Sequence, residues 1–209
     1  MMMGRPGGRP IFVHAPLLPS AEAIQIMSMP AAYQPVTSIE ELLALPDDGM
    51  RHEFLDGVHV VTPAPRLTHQ RVVTRILSHL LTALTGREDA EVFSSPADVR
   101  LGPRTLVQPD VFVVCRWAGR ELMDWSEVGV PLIAIEVLSD STAVRDRGQK
   151  RRIYQQAGVG EYWIIDMASR LVERWRPDDT RPEIAAETLG WTLPGGAANT
   201  LDVQALFRP

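Results

Sequence analysis

Two acids in this chain stand where hydrophobic strands leave little room for charge. In "VQPDVFVVC", residues 107 to 115, Asp110 directly precedes a run of β-branched, aromatic and small apolar residues that suits a sheet interior. In "PLIAIEVLS", Glu136 interrupts an apolar strand running from Leu132 to Leu138. A buried carboxylate needs a compensating charge, because desolvating it alone is expensive. Strand side chains alternate between faces, so Glu136 shares its face with Ala134 and Leu138. Ile133, Ile135 and Val137 form the opposite, buried face. If the two strands are neighbours, the acids meet and repel unless a cation lies between them. Carboxylate oxygens are ligands that Mg²⁺ prefers.

Lys150, in "TAVRDRGQKRRIYQQAG", is the third residue of the group. Helical spacing puts it on the face of Ile153, Tyr154 and Ala157, the more apolar side of the predicted helix, while Arg147, Arg151 and Arg152 reach solvent. That helix follows Glu136 closely, so its first half covers the end of the Glu136 strand. Two acids and a lysine can form a plain internal salt bridge. They also meet the needs of metal-assisted phosphodiester hydrolysis. The acids hold Mg²⁺, the metal polarises phosphate and acidifies a water, and the lysine offsets the growing negative charge.

The elements that must position these residues are legible in outline. Residues 1 to 35, rich in Pro, Met and Ala, read as a flexible arm, and 36 to 209 as one domain. Ser38 and Glu41 form a capping-box pattern before a short helix that Pro46 ends. "RHEFLDGVHVV" predicts two strands around the turn Asp56-Gly57. The clearest helix carries the stripe Val73, Ile76, Leu77, Leu80, Leu81 and Leu84, with Gly86 past its end. Four strand-like pieces follow: "EVFSS", "ADVRL", "TLVQPDVFVVC" and "PLIAIEVLS". A helix over about 142 to 157 leads to "EYWIID" and "RLVERWR", and the tail from about 178 predicts an edge strand or packed arm. This order implies an α/β or α+β domain with a mixed sheet flanked by helices.

Composition narrows the functional classes. One cysteine, Cys115, excludes an internal disulfide, fits a reducing compartment and reads as a core thiol. No apolar run reaches the length of a membrane helix, so the expected location is cytoplasmic. A net charge of −5 and a pI of about 5.5 argue against a general polyanion coat. They leave room for an enzyme with an acidic metal cluster. Arg71, Arg75, Arg145, Arg147, Arg151 and Arg152 would supply a basic rim if they converge. Cys/His clusters for zinc and glycine-rich nucleotide loops are absent, and Ser139 and Ser141 have no histidine at a recognisable spacing. His69 reads as a helix-start or solvated residue, Asp166 as a turn acid, and Trp163 and Trp175 as core or dimer contacts. Asp98 and Arg100 alternate with Ala97, Val99 and Leu101 as on a half-exposed strand.

Pro109-Asp110 followed by Glu136-Val137-Leu138 resembles the PD-(D/E)xK nuclease superfamily. The segments "HEFLDGVHVV", "APRLTHQRVVTRIL", "VFSSPADVRLGPRTLVQPDVFVV" and "IAIEVLSDSTAVRDRGQKRRIYQQAGVGEYWIID" resemble the Uma family of restriction-type endonucleases over about residues 37 to 176. The resemblance implies a restriction-endonuclease-like fold and Mg²⁺ (or Mn²⁺) as cofactor, held by Asp110 and Glu136. It implies Lys150 as the catalytic lysine, Glu53 as an additional catalytic acid, and nucleic acid, DNA above all, as substrate. Leu138 stands where the superfamily pattern has its lysine, so Lys150 would be that lysine moved onto the following helix. Two rival readings stay open: a nuclease-fold binding or assembly module without catalysis, and hydrolysis of a small phosphate ester. The aromatic strands after Gly160 suggest a sheet edge covered by a second copy, hence a homodimer.

Overall fold

The computed structural model describes residues 35–116, 121–139 and 141–208, so the arm expected over 1–35 lies outside them except for its last residue. From Pro35 onward the chain forms one compact unit. A first helix, α1 (Ile39–Leu43), starts at Ser38, whose Oγ accepts the Glu41 amide at 3.1 Å. Glu41 returns its carboxylate to the Thr37 amide at 2.7 Å, so the reciprocal box is one residue wider than the pattern predicts.

Among the described residues, twelve strands follow in three sheets. A four-stranded antiparallel sheet has the order β2-β1-β5-β4, made of β1 (Arg51–Leu55), β2 (Val58–Thr62), β4 (Val99–Gly102) and β5 (Thr105–Val107). A six-stranded mixed sheet has the order β10-β9-β8-β7-β6-β3. Its strands are β3 (Ala90–Ser94), β6 (Val111–Cys115), β7 (Ile133–Val137), β8 (Glu161–Asp166), β9 (Leu171–Trp175) and β10 (Glu183–Ala185). The tail closes with the hairpin β11 (Thr188–Trp191) and β12 (Asn199–Asp202). Among the described residues, only β7 and β8 pair in parallel. A helical crossover joins them: α3 (Ala143–Arg145), a π turn (Asp146–Lys150) and α4 (Arg151–Gln156).

The large sheet is covered on both faces. Val72, Val73, Ile76 and Leu80 of α2 (Leu67–Ala83) pack on one face, with Val111, Val113, Ile133, Ile135 and Val137, and tail residues such as Trp191 and Leu201 join them. Phe112, Val114, Ala134 and Leu138 point the other way, toward Leu55 and Val107 of the small sheet and Ile153 and Tyr154 of α4. Glu136 therefore opens into the layer between the two sheets.

Several expectations change. "TLVQPDVFVVC" is not one strand: β5 belongs to the small sheet and β6 to the large one, and Gln108-Pro109-Asp110 makes the crossing. Pro109 has no N–H with which to continue a ladder. Cys115 is exposed, not a core thiol, because β7 pairs only with Val111 to Val113 and the end of β6 projects beyond it. Leu81 is 53% exposed; five residues at about 100° each turn it away from Ile76. The aromatic strands after Gly160, β8 and β9, are not edges. Strand β8 lies between β7 and β9, and the chain's own tail covers β9 with β10, which removes the edge argument for a second copy. Among the described residues no helix is long and apolar enough to cross a membrane.

The β1–β2 hairpin turns as predicted, with positive φ at Asp56 (54°) and Gly57 (89°). At Gly57 a Cβ would also fall 2.0 Å from the Arg104 guanidinium. Gly57→Ala should therefore destabilise the domain by about 1 kcal/mol or more, read as a lower urea midpoint. An unchanged midpoint would mean that the turn does not hold β1 in register.

Candidate active site

Each chemical residue arrives on a different element. Glu53 comes from β1, Asp110 from the crossing before β6, Glu136 from β7, and Lys150 from the end of the π turn. All four line one cleft of about 870 Å³. Glu53, Asp110, Glu136, Asp146 and Lys150 are each only 2% exposed. The sequence-predicted group thus converges between the small sheet, the large sheet and the crossover helix.

The pairing differs from the simplest expectation. Lys150 Nζ contacts Glu136 Oε1 at 2.5 Å and Glu53 Oε1 at 2.8 Å. Tyr154 donates its hydroxyl to the same Glu136 oxygen at 2.9 Å, and the Gln108 amide donates to Glu53 Oε1 at 2.9 Å. Asp110 pairs elsewhere. Its Oδ1 takes Arg51 at 2.7 Å, while Oδ2 meets His69 Nε2 at 3.1 Å and accepts the Val137 amide at 2.8 Å. That last bond seats Asp110 beside Glu136, through the backbone of the next residue.

Electrostatics separates the two acids. Burial alone would raise the Asp110 carboxyl, but the His69 hydrogen bond and the Arg51 charge outweigh it and hold the group down at about 2. Burial pushes Glu136 up to about 8, against the pull of Lys150 and with the help of Asp110, Asp146 and Glu53. Burial would lower Lys150, yet the charges of Glu136, Glu53 and Asp146 win and keep it protonated. Four buried carboxylates thus face two permanent cations, Lys150 and the half-buried Arg51. Even with a proton on Glu136, the three other acids outnumber the two cations.

Sequence reasoning missed Arg51, Tyr154 and Asp146, and read His69 as a helix-start residue. Signals for all four were present. Arg51 lies two residues before Glu53 on one strand, hence on one face. Asp146 and Tyr154 flank Lys150 at four residues on either side. His69 precedes Val72, Val73 and Ile76 at spacings of three, four and seven, which places it on the buried face of α2. Lys150 is also the only lysine in the sequence, against twenty arginines. Of the arginines expected to form a rim, Arg71, Arg75, Arg145 and Arg147 line the cleft. Arg151 instead lies over the Trp175 ring at 4.6 Å.

This architecture is an α+β fold of nuclease type. A crystal structure described as "a putative nuclease belonging to DUF820", from Anabaena variabilis, matches it with a TM-score of 0.65. That match covers 83% of this chain and 98% of the other, at 20% identity, so the likeness is one of fold. The sequence model of the Uma2 family, described as "Putative restriction endonuclease", matches residues 39–203, and the chain belongs to that family. An uncharacterised protein of Synechocystis sp. is 26% identical over 157 residues, 74% of this chain and 81% of that protein.

The opposed carboxylates predict a pH signature. Glu136 holds a proton in the folded protein up to about pH 8 that the unfolded chain loses near 4.5. Its contribution to stability is full below pH 4.5 and lost as pH rises toward 8. Asp110 acts in the opposite sense, contributing above pH 3.8 and losing that contribution as pH falls through about 2. Melting in EDTA should show stability falling between pH 5 and 8 by roughly 1 kcal/mol per pH unit at most, a slope absent in Glu136→Gln. Identical slopes in both proteins would refute the assignment to Glu136.

Proposed function

We propose that this protein is a divalent-cation-dependent endonuclease that hydrolyses phosphodiester bonds of nucleic acid, DNA first. The observation that carries this reading is the surplus of negative charge at the base of a cleft lined with arginines. Asp110 and Glu136 would hold Mg²⁺, or Mn²⁺ in its place. The donor set fits such an ion: hard carboxylate oxygens with an unbalanced charge. Among the described residues no three of His, Cys, Asp or Glu converge as a complete metal cage. Mg²⁺ commonly binds through one or two carboxylates and keeps water and substrate phosphate for its other positions.

When bound, the cation would supply polarisation of the phosphate and an acidified water. The chain's own residues do the rest. Lys150 keeps a full positive charge beside the place where negative charge grows in the transition state, and Glu53 fixes its ammonium. Lys150 and Tyr154 both engage Glu136 Oε1, which leaves Oε2 for a ligand. Arg66, Arg71, Arg145 and Arg170 are among eight arginines lining the cleft, and guanidinium groups suit phosphates on either side of the scissile bond. That local field answers the acidic pI: positive charge is gathered at the cleft rather than spread over the surface. A cytoplasmic location belongs to the same reading.

One observation favours the rival binding module. Arg51, His69 and Lys150 already pair three of the buried acids, as a closed structural network would. Glu136→Gln separates the two readings. Its amide oxygen can still accept from Lys150 and Tyr154, and burial already disfavours the charge it removes, so melting should be unchanged or higher. Mg²⁺-dependent cleavage of plasmid or single-stranded DNA should fall about a thousandfold, several kcal/mol of lost charge stabilisation. A wild type that cleaves neither substrate with Mg²⁺ or Mn²⁺ would favour the binding module.

A further inference from the structure

Among the described residues, one carboxylate oxygen is buried without any hydrogen-bond partner: Asp146 Oδ2. Asp146 is 2% exposed and lines the same cleft as Asp110, Glu136 and Lys150. A buried acceptor left unsatisfied is costly, more so when charged, so such a group calls for a partner. Lys150 does not fill the role, because its ion pairs go to Glu53 and Glu136.

The backbone points the same way. Asp146 opens the π turn that Lys150 closes, and these two are the buried residues of that turn. Widened helical turns of this kind occur mostly at functional sites, since they give up favourable helix geometry. Here the turn carries an acid and the chain's only lysine inward together. The Asp146 backbone carbonyl accepts the Tyr162 hydroxyl at 3.2 Å, so the main chain is fixed while the side-chain oxygen stays open. Glu53 makes the contrast: neither of its oxygens is buried without a partner, and its Oε1 takes both Lys150 and the Gln108 amide. Burial raises the Asp146 carboxyl, with Lys150 and a Thr142 hydrogen bond opposing.

We propose that Asp146 is a further functional carboxylate of this site, its Oδ2 accepting from a water of the hydrated divalent cation that Asp110 and Glu136 hold. The proposal rests on the metal-dependent reading above and adds an outer carboxylate to it. Glu53 then serves mainly to anchor Lys150.

The test is a Mn²⁺ titration of the full chain, followed by electron paramagnetic resonance of free Mn²⁺. Wild type is compared with Asp146→Asn and Asp146→Ser, with melting of each protein in EDTA as the fold control. Both substitutions keep a small polar side chain, so at least one folded variant is expected. Mn²⁺ affinity should fall about tenfold or more in the variants, with melting in EDTA unchanged or raised. A folded variant that binds Mn²⁺ as tightly as wild type overturns this proposal and leaves the metal reading intact. A wild type that binds no Mn²⁺ overturns both.

Discussion

The buried ammonium of Lys150 ties together three parts of the molecule that share no continuous backbone element. It contacts Glu53 of the small sheet and Glu136 of the large sheet from its own place on the crossover. Removing the lysine from such a network would leave uncompensated carboxylate charge in a dry site, a loss of about 3–5 kcal/mol. The two sheets could pack through Leu55, Phe112 and Val107 alone, and apolar packing would often be the more stable choice. What the ion pairs contribute is register. Only one placement of β1 against β7 puts both carboxylates on one ammonium.

A second set of contacts holds Asp110 at the point where the chain leaves one sheet for the other. Arg51 reaches it from β1, His69 from the start of α2, and the Val137 amide from β7. Arg51 and Glu53 lie two apart on β1, so one strand face serves both acids of the central pair: a cation for Asp110 and a counter-charge for Lys150. The site is thus a chain of alternating charges, with Glu136 next to its middle and its carboxyl pushed upward. The same imbalance that weakens the metal-free fold is what would favour a divalent cation.

The fold was legible wherever local chemistry decides. Asp56-Gly57 accepts the left-handed backbone that a tight hairpin needs, and the stripe from Val73 to Leu80 can bury only as a helix. Alternation along β7 correctly divided Ile133, Ile135 and Val137 from Ala134 and Leu138, because a strand's two faces are set by its pleat. The break inside "TLVQPDVFVVC" was harder to see, since both halves favour strand and only Pro109 marks the change of sheet. That the tail adds an edge strand was legible, but not that β10 would pair with β9 and enclose it, because the hydrophobic pattern of a strand does not name its neighbour.

The sequence by itself determined which side chains had to be explained: two acids at the lips of apolar strands and a lysine on an apolar helix face, each too costly to bury alone. Family membership and the α+β class were within its reach for the same reason, that local pattern and spacing carry them. Tertiary structure decided who pairs with whom. It gave Lys150 to Glu53 and Glu136, gave Asp110 to Arg51 and His69, and left Asp146 Oδ2 open. Those choices turn on the order of strands and on a π turn in the crossover. A charge finds its partner through distances of a few ångströms, and such distances are set by packing between segments that lie 41 residues apart for His69 and Asp110 and 97 for Glu53 and Lys150.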